Sequence, residues 1–476
     1  MERVLPKTLD YTDVLPLAVE SRSRRRTFFP INGQLFNSGG ANIIRIDLSA
    51  DALLDTQHSY LRFNVKPTSG TFGIDSAGGH SFIRRLRVEQ SGTILEDVNS
   101  YNRLMGAIVL PCQSTNEHNN ERSITEGVSA MGQRIGEGSQ YNEAYEVSVN
   151  YAGTPATNVG GDAGSILGGR HNKDDQISSS SGSSGWDFSI PLNSGILNNA
   201  KLIPLMLMSA PLTIEIELAP SVQPVVWSAD NLTYDVSNVR YIANLIEVGQ
   251  DVSAQLRMVQ EVSGGVLTLA GQTYRHFVGQ LSNGGTGDQI INVPARVKSM
   301  KSLFFVGQGA GSDNYTTYDV SMGGNMKLNE YQLKIGSVVY PPTPVRCVFG
   351  DGSDSNTFNH RSEPLMELAK SWGSVGSTKG MGQLSALNYA TTESTRPAMD
   401  STDLTKLKKV YAPFGLDLEA FQRVAIESGV NTADRSLPIS LILNTTSGTT
   451  QQNVDVFVLA DALFYINADG SMSVSV

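Results

Sequence analysis

The feature that most constrains the fold of this chain is an internal repeat about half a chain long. Four short matches recur in the same order. Residues 33–35 match 279–281 at an offset of 246 positions (279 − 33), and Gly92 matches Gly336 at an offset of 244 (336 − 92). Ser194-Gly195 matches Ser428-Gly429 and Pro204 matches Pro438, both at an offset of 234 (428 − 194 and 438 − 204). Because the offsets drift only by loop lengths, they indicate two copies of one domain.

The pattern within each copy is that of β-strands. In residues 186–218, Phe188 and Ile190 alternate with polar residues, and so do the apolar residues of Leu212–Leu218. Strict alternation predicts a strand with one buried and one solvated face, whereas the continuous apolar run at 202–208 is typical of a strand covered on both faces. A similar set of closing strands is predicted near the C-terminus, at 416–424, 437–443 and 454–466.

The remaining segments complete two similar halves. Strands are predicted at 42–47 and 59–65 in the first half and at 289–293 and 302–306 in the second, and each pair is followed by a hairpin, at 81–96 and 332–340. Short helices are predicted at 99–110, 253–262, 363–372 and 403–410. The polar stretches 113–185 and 357–410 are expected to be surface insertions. The pattern therefore predicts an all-β protein of two consecutive eight-stranded jelly-roll barrels with long loop insertions.

Composition limits the class of protein further. The chain has 476 residues, 46 glycines, 17% charged and 40% hydrophobic residues, which favours an ordered, loop-rich β-protein of two or three domains. A net charge of −10 argues against a dedicated nucleic-acid binder. The two cysteines, Cys112 and Cys347, lie too far apart in sequence to indicate a disulfide framework or a metal motif.

The N-terminal segment predicts neither a signal peptide nor a membrane span. No uninterrupted apolar run follows the first residues, and no run of 18 apolar residues occurs anywhere, so we expect a soluble protein that is not secreted. Residues 1–26 are expected to form an arm. Its last part carries the densest positive charge of the chain, at Arg22, Arg24, Arg25 and Arg26. These arginines could contact phosphate, an anionic membrane surface or an import receptor, or they could be a solvated lead-in to the first strand.

No catalytic or cofactor-binding pattern is present in the sequence. The six histidines form no metal-binding spacing, and no nucleophile elbow, phosphate-binding loop or dinucleotide-binding motif occurs. The loop from Asp351 to Asn356 is rich in oxygen ligands, but it lacks the order of a calcium loop, and a polar turn is the favoured interpretation. We therefore expect no enzyme activity, no metal and no cofactor.

Several of these segments resemble one known family. The closing pattern IPLNSGIL…IPLMLMSAPLTIEIEL, the segments YDVSNVRYIANLIEV, NVPARVKSMKSLFFV and YQLKIGSVVYPPTPV, and the C-terminal VFVLADALFYINADGSMSV look like those of double jelly-roll major capsid proteins. That family belongs to tailless double-stranded DNA viruses, and the likeness is nearest to virophage and Polinton-like capsid proteins. It implies an arm at 1–26, a first jelly roll at 27–225 and a second at 226–476.

The resemblance also implies a function. Such proteins form homotrimers that make pseudo-hexagonal capsomers of an icosahedral shell, so the expected partners are further copies of the chain, penton proteins and minor capsid proteins. The expected location is the virion, after synthesis in the host cytoplasm, and no small-molecule substrate is expected. The arm and Arg22–Arg26 would then face the shell interior and make a weak contact with genome or an internal membrane. A minor capsid or vertex protein and a carbohydrate-binding β-sandwich are the alternatives.

Overall fold

The computed structural model describes most of the chain. The described residues are 20–69, 71–75, 77–113, 121–122, 124–128, 177–178, 185–226, 233–309, 320–347, 361–373, 384, 389–390, 411–421, 426–446 and 451–476. The helix predicted at 403–410, most of the two predicted insertions, and the loop from Asp351 to Asn356 lie outside these residues.

The first half of the chain folds into two facing sheets. Its strands are β1 (Ser21–Phe28), β2 (Leu35–Asn37), β3 (Ile43–Leu48), β4 (Leu53–Pro67), β5 (Thr71–Ile74), β6 (Ile83–Gln90), β7 (Thr93–Asn99), β8 (Ile177–Ser178), β9 (Trp186–Ile190), β10 (Ile203–Pro204), β11 (Leu212–Leu218), β12 (Val225–Val226) and β13 (Tyr234–Val248). One sheet runs β1-β13-β4, with β9 and β10 on the far side of β4, and the other runs β3-β11-β6-β7. Strands β5, β8 and β12 form a small separate sheet.

The second half repeats the order of the eight main strands of the first half. Its strands are β14 (Val266–Leu281), β15 (Gly287–Asn292), β16 (Met300–Gly309), β17 (Leu328–Ile335), β18 (Val338–Arg346), β19 (Phe414–Asp417), β20 (Ile439–Thr445), β21 (Gln452–Asn467) and β22 (Met472–Ser475). The sheet orders are β14-β21-β16-β19 and β15-β20-β17-β18. This order is the jelly-roll topology, and it occurs once in each half, which confirms the predicted double jelly roll.

The two predicted hairpins have the same position in the two jelly rolls. The turn between β6 and β7 has positive φ at Ser91 and Gly92, and Gly336 has positive φ between β17 and β18. Both hairpins end with an edge strand of their sheet, β7 in the first half and β18 in the second. The match between Gly92 and Gly336 is therefore confirmed as a structural equivalence.

The apolar run at 202–208 does not form the predicted strand. Only Ile203–Pro204 pairs, with the start of β4, and Leu205–Leu207 is a turn of 3₁₀ helix. The match of Pro204 with Pro438 is also wrong. Pro438 precedes β20, whose equivalent in the first half is β11, and the proline that precedes β11 is Pro211.

Two further segments differ from the sequence division. Ser21–Phe28 is a strand, so the described part of the predicted arm from Ser21 onwards belongs to the first sheet. Tyr234–Val248, which falls in the range 226–476, pairs with β1, β2 and β4 of the first jelly roll. Both differences arise because strand partners lie far away in sequence, where local patterns carry no information about them.

The helices of the described residues are short. A helical segment follows β7 and consists of α1 (Tyr101–Leu104), a π-helical turn (Met105–Val109) and α2 (Leu110–Gln113). Later helices are α3 (Gln250–Val262), between the two jelly rolls, and α4 (Ser362–Ser371). None of the helices in the described part of the chain is long and apolar enough to cross a membrane.

Candidate assembly surfaces and the contact between the jelly rolls

The arginines predicted as a contact site lie on β1, an edge strand. Its antiparallel pairing with β13 places Arg22, Arg24 and Arg26 on the same face as the buried Phe28, whereas Arg25 points to the other face. All four arginines are exposed. The strand therefore displays a row of guanidinium groups along the open edge of the first jelly roll.

Few protein contacts occupy these guanidinium groups. Arg24 forms one exposed ion pair with Glu247, with 3.2 Å between Nη1 and Oε1, and Arg25 donates to the Tyr60 hydroxyl at 3.2 Å. The Arg26 guanidinium lies 4.9 Å from the ring centre of Phe28. Because exposed ion pairs contribute little free energy, these side chains remain available to a partner.

A different arginine, which the sequence analysis did not single out, joins the two jelly rolls. Arg103 on α1 is 3% exposed and donates to the carbonyl oxygens of Val320, Met322 and Gly307. Its Nε also lies 3.1 Å from Asp455 Oδ2 on β21. A buried guanidinium needs such a full set of acceptors, so the helix that carries it is fixed against the second jelly roll.

Asp455 receives a second partner from its own jelly roll. His276 Nε2 lies 2.9 Å from Asp455 Oδ1. Burial opposes ionisation of the Asp455 carboxyl, but the His276 hydrogen bond and the positive charge of Arg103 outweigh it and lower the pKa. The three side chains form a buried ionic cluster between the halves.

Glu96 on β7 makes the next contact between the halves. It accepts hydrogen bonds from Ser194 and Gly195 of its own half and from the Thr273 hydroxyl on β14. Burial raises the pKa of this carboxyl, and the hydrogen bonds offset part of the rise. A Cβ at Gly195 would lie 2.5 Å from the Gln272 carbonyl oxygen, so glycine is needed for the two halves to approach this closely.

At the end of the same contact between the halves, Gln90 binds the backbone of the turn before β22. Its Nε2 donates to the Gly470 carbonyl at 3.1 Å, and its Oε1 accepts from the Met472 amide at 2.6 Å. Gln90 ends β6, and Met472 begins β22. We call the whole contact between the jelly rolls the seam. It joins the β6–β7 hairpin of the first jelly roll to β14, β21 and β22 of the second.

A polar cavity of about 640 Å³ opens beside this seam. On its wall, Lys301 is buried between two carboxylates, with its Nζ 2.9 Å from Glu419 Oε1 and 3.2 Å from Asp461 Oδ1. Asp461 also accepts from Ser299 and from the Glu427 amide. Each charged group has a partner, which is typical of a structural ion cluster.

The described histidines each lie beside a carboxylate. The pairs are His58 with Asp55 at 2.7 Å, His80 with Glu126 at 2.8 Å, and His276 with Asp455 at 2.9 Å. Within the ranges that the structure describes, no group of three or more His, Cys, Asp or Glu side chains could hold a metal ion. Cys112 and Cys347 are both buried, and burial raises the pKa of each thiol.

Solved structures provide the comparison for this fold. The Faustovirus major capsid protein is similar over 96% of this chain and 92% of its own, with a TM-score of 0.57 and 8% identity. The Sputnik virophage structure covers 100% and 93%, with a TM-score of 0.54 and 9% identity. The mavirus major capsid protein covers 100% and 96%, with a TM-score of 0.52 and 10% identity.

These likenesses extend over the whole chain and establish the double jelly-roll fold. At such low identity they concern the fold alone. No family model matches this sequence, and no curated protein matches it. The residues of the seam and of the β1 edge are therefore interpreted from their own contacts.

Proposed function

We propose that this chain is a structural major capsid protein that forms homotrimeric, pseudo-hexagonal capsomers of an icosahedral viral shell. The observation that carries the proposal is the pair of complete jelly rolls, docked side by side in one chain, whose whole length resembles solved major capsid proteins. Three such chains would supply six similar blocks to one ring. The partners are then further copies of this chain together with penton and minor capsid proteins, and the location is the virion.

The contacts between the halves support a mechanical role. The buried cluster of Arg103 and Asp455, the Glu96 hydrogen bonds and the Gln90 clamp all fix one jelly roll against the other. A shell unit needs this rigidity because many weak contacts between capsomers act together only if each unit keeps its shape. We propose a structural and not an enzymatic function.

The ends of the proposed domains follow from strand pairing. We propose that the first jelly roll continues through β13 to Val248 and that the second begins with β14 at Val266, with α3 as the connection. Contact of the arginine strand with genome or an internal membrane stays a prediction.

Electron microscopy of particles from expressing cells tests the function. We expect closed shells built of pseudo-hexagonal capsomers with six density lobes each. Cells that accumulate soluble protein without shells, together with retention of that protein on a glycan array, would favour the alternative of a carbohydrate-binding module.

A further inference from the structure

The contact between the two jelly rolls joins two different surfaces, one from each half. The edge strand of the hairpin in the first half, β7, packs against the first strand of the second half, β14, and against β22. Glu96 on β7 and Thr273 on β14 are bonded across this contact, and they are 3% and 4% exposed. The outward edge of one jelly roll thus meets the opening strand of the next.

Strand register identifies the residues that occupy the same positions in the other half. In the first half one row of paired residues crosses four strands, and it consists of Phe28, Tyr241, Leu61 and Ile190. The corresponding row in the second half consists of Arg275, Val458, Leu303 and Leu416. Two residues earlier on the opening strands, Arg26 pairs with Ala243 as Thr273 pairs with Ala460. Arg26 is therefore the counterpart of Thr273.

The other sheets give the counterpart of Glu96. Glu96 pairs with Val88, which pairs with Ile214 on β11. Tyr340 pairs with Leu333, which pairs with Leu441 on β20. Since β11 and β20 have the same place in the two jelly rolls, Tyr340 on β18 is the counterpart of Glu96.

Arg26 and Tyr340 differ from their counterparts Thr273 and Glu96 in exposure. Arg26 is exposed and Tyr340 is partly exposed, and no strand pairing joins β1 to β18 in the described part of the chain. Val338, at the start of β18, is 50% exposed, although it belongs to an apolar edge strand. Within its described residues, each chain therefore contains one complete contact between jelly rolls. It also carries the two surfaces of a second such contact, which do not meet within the chain.

We propose that β18 of one copy of this chain packs on β1 of the next copy, with Tyr340 against Arg26. This inference rests on the proposed trimer and names the surfaces that would join it. The partner is a second copy because the same docking already occurs inside the chain. A tyrosine ring and a guanidinium group are complementary, through the ring face or the hydroxyl.

The contact is head-to-tail, so each copy uses both surfaces. A heterologous contact forms a ring when its rotation closes, and two blocks per chain close a six-block ring at three copies. The exposed arginines of β1 then lie at the boundary between copies, next to the apolar and proline-rich strand β18.

Cysteine cross-linking tests the seam. The variant Arg26→Cys/Tyr340→Cys is treated with a short bismaleimide and separated by denaturing electrophoresis. We expect a covalent trimer from the double variant and only monomer from either single variant. The buried native thiols, Cys112 and Cys347, have raised pKa values and should not react. The variant Arg84→Cys/Tyr340→Cys, with another exposed arginine, on β6, is the matched control and should stay monomeric on the gel.

The outcomes separate the seam from the trimer. If the wild-type protein and the double variant are trimers in solution but the double variant gives no covalent trimer, the seam is assigned to the wrong surfaces. If the double variant is folded but monomeric while Arg84→Cys stays trimeric, the seam is supported, because loss of Arg26 and Tyr340 breaks it. A monomeric wild-type protein overturns the proposed function and this inference together.

Discussion

The strands β4 and β16 hold the same position in the two jelly rolls but have opposite surroundings. By the strand register, Phe304 on β16 is the counterpart of Arg62 on β4, and Phe457 on β21 is the counterpart of Arg240 on β13. Phe304 and Phe457 are fully buried, whereas the Arg62 side chain is 37% exposed. The same face of the same sheet is a core in one half and a charged surface in the other.

The difference has a visible cause. In the second half the face is covered by α4, whose following residue Trp372 stacks on Phe304 at 4.6 Å, and by the helical segment that carries Arg103. In the first half no described element covers the corresponding face. Among the described residues, this face is thus covered in the second jelly roll and open in the first.

The largest expected effect of this difference is on stability. Phe304→Ala should lower the free energy of unfolding by about 3–5 kcal/mol, because it removes a buried ring from a packed site. Arg62→Ala, at the equivalent position, should change it by less than about 1 kcal/mol, since its ion pair with Asp187 is exposed. Urea unfolding of both variants measures this. Equal losses would show that the two faces are not differently covered.

Truncation of the N-terminus tests whether β1 stabilises the first jelly roll. Deletion through residue 28 should destabilise the first jelly roll by about 3 kcal/mol, because it removes the buried Phe28 and the backbone ladder to β13. Deletion through residue 19 leaves the whole of β1 and should keep the pairing of β1 with β13. Hydrogen exchange at β13 distinguishes the two deletions. Unchanged protection of β13 after the longer deletion would mean that β1 is not part of the sheet in solution.

The pH dependence tests the cluster that holds the halves together. The pKa of Asp455 is lowered in the fold, so its stabilisation is complete above the unfolded-state value of about 4 and is lost as pH falls through the folded-state value. Glu96 has a raised pKa, so its contribution is present below its unfolded-state value and is lost as pH rises through the folded-state value. Asp455 should therefore contribute to the acid limb of stability, as should Glu126, whose pKa is also lowered by His80 and Arg122.

Asp455→Asn should cost about 2 kcal/mol at neutral pH and flatten that acid limb, because a charged hydrogen-bond acceptor is lost. Asp187→Asn, in the exposed pair of the first half, is the control and should change neither. Urea midpoints between pH 2 and pH 7 give the comparison. An unaltered acid limb in Asp455→Asn would remove this cluster from the account.

The smallest expected effect concerns association between copies. Arg26→Glu should weaken the trimer about tenfold, since one cation–π contact is worth about 0.5–2 kcal/mol. Arg84→Glu replaces an arginine with a comparable exposed ion pair, to Glu217 at 3.3 Å, and should leave association unchanged. Sedimentation velocity over a dilution series measures both. Equal behaviour of the two variants would argue that β1 lies outside the contact between copies.

The repeat in the sequence was sufficient to predict two jelly rolls, but it did not predict the strand pairing within them or the contacts between them. Gly92 and Gly336 were matched correctly because a tight turn leaves a local signal. Pro204 was matched with the wrong residue because 203–207 is a short strand and a 3₁₀ turn, although its apolar composition suits a buried strand. An offset that fits in sequence does not fix a strand register.

The contact residues were harder to predict. Arg103 stands alone in an apolar helical segment, and this was the one local signal that a buried charge with a distant partner was present. Glu96 and Thr273 left no such signal, because their burial depends on the docking of two domains. The arginines of β1 were recognised from their charge, but their place on an edge strand depended on pairing with residues more than 200 positions away.

The mass of the purified protein in solution tests the central claim most directly. Light scattering coupled to size-exclusion chromatography should give three times the 51.2-kDa chain mass, with no stable dimer, because only three copies close a ring of six jelly rolls. A monomer that stays monomeric at high concentration, or a closed dimer, would contradict the account.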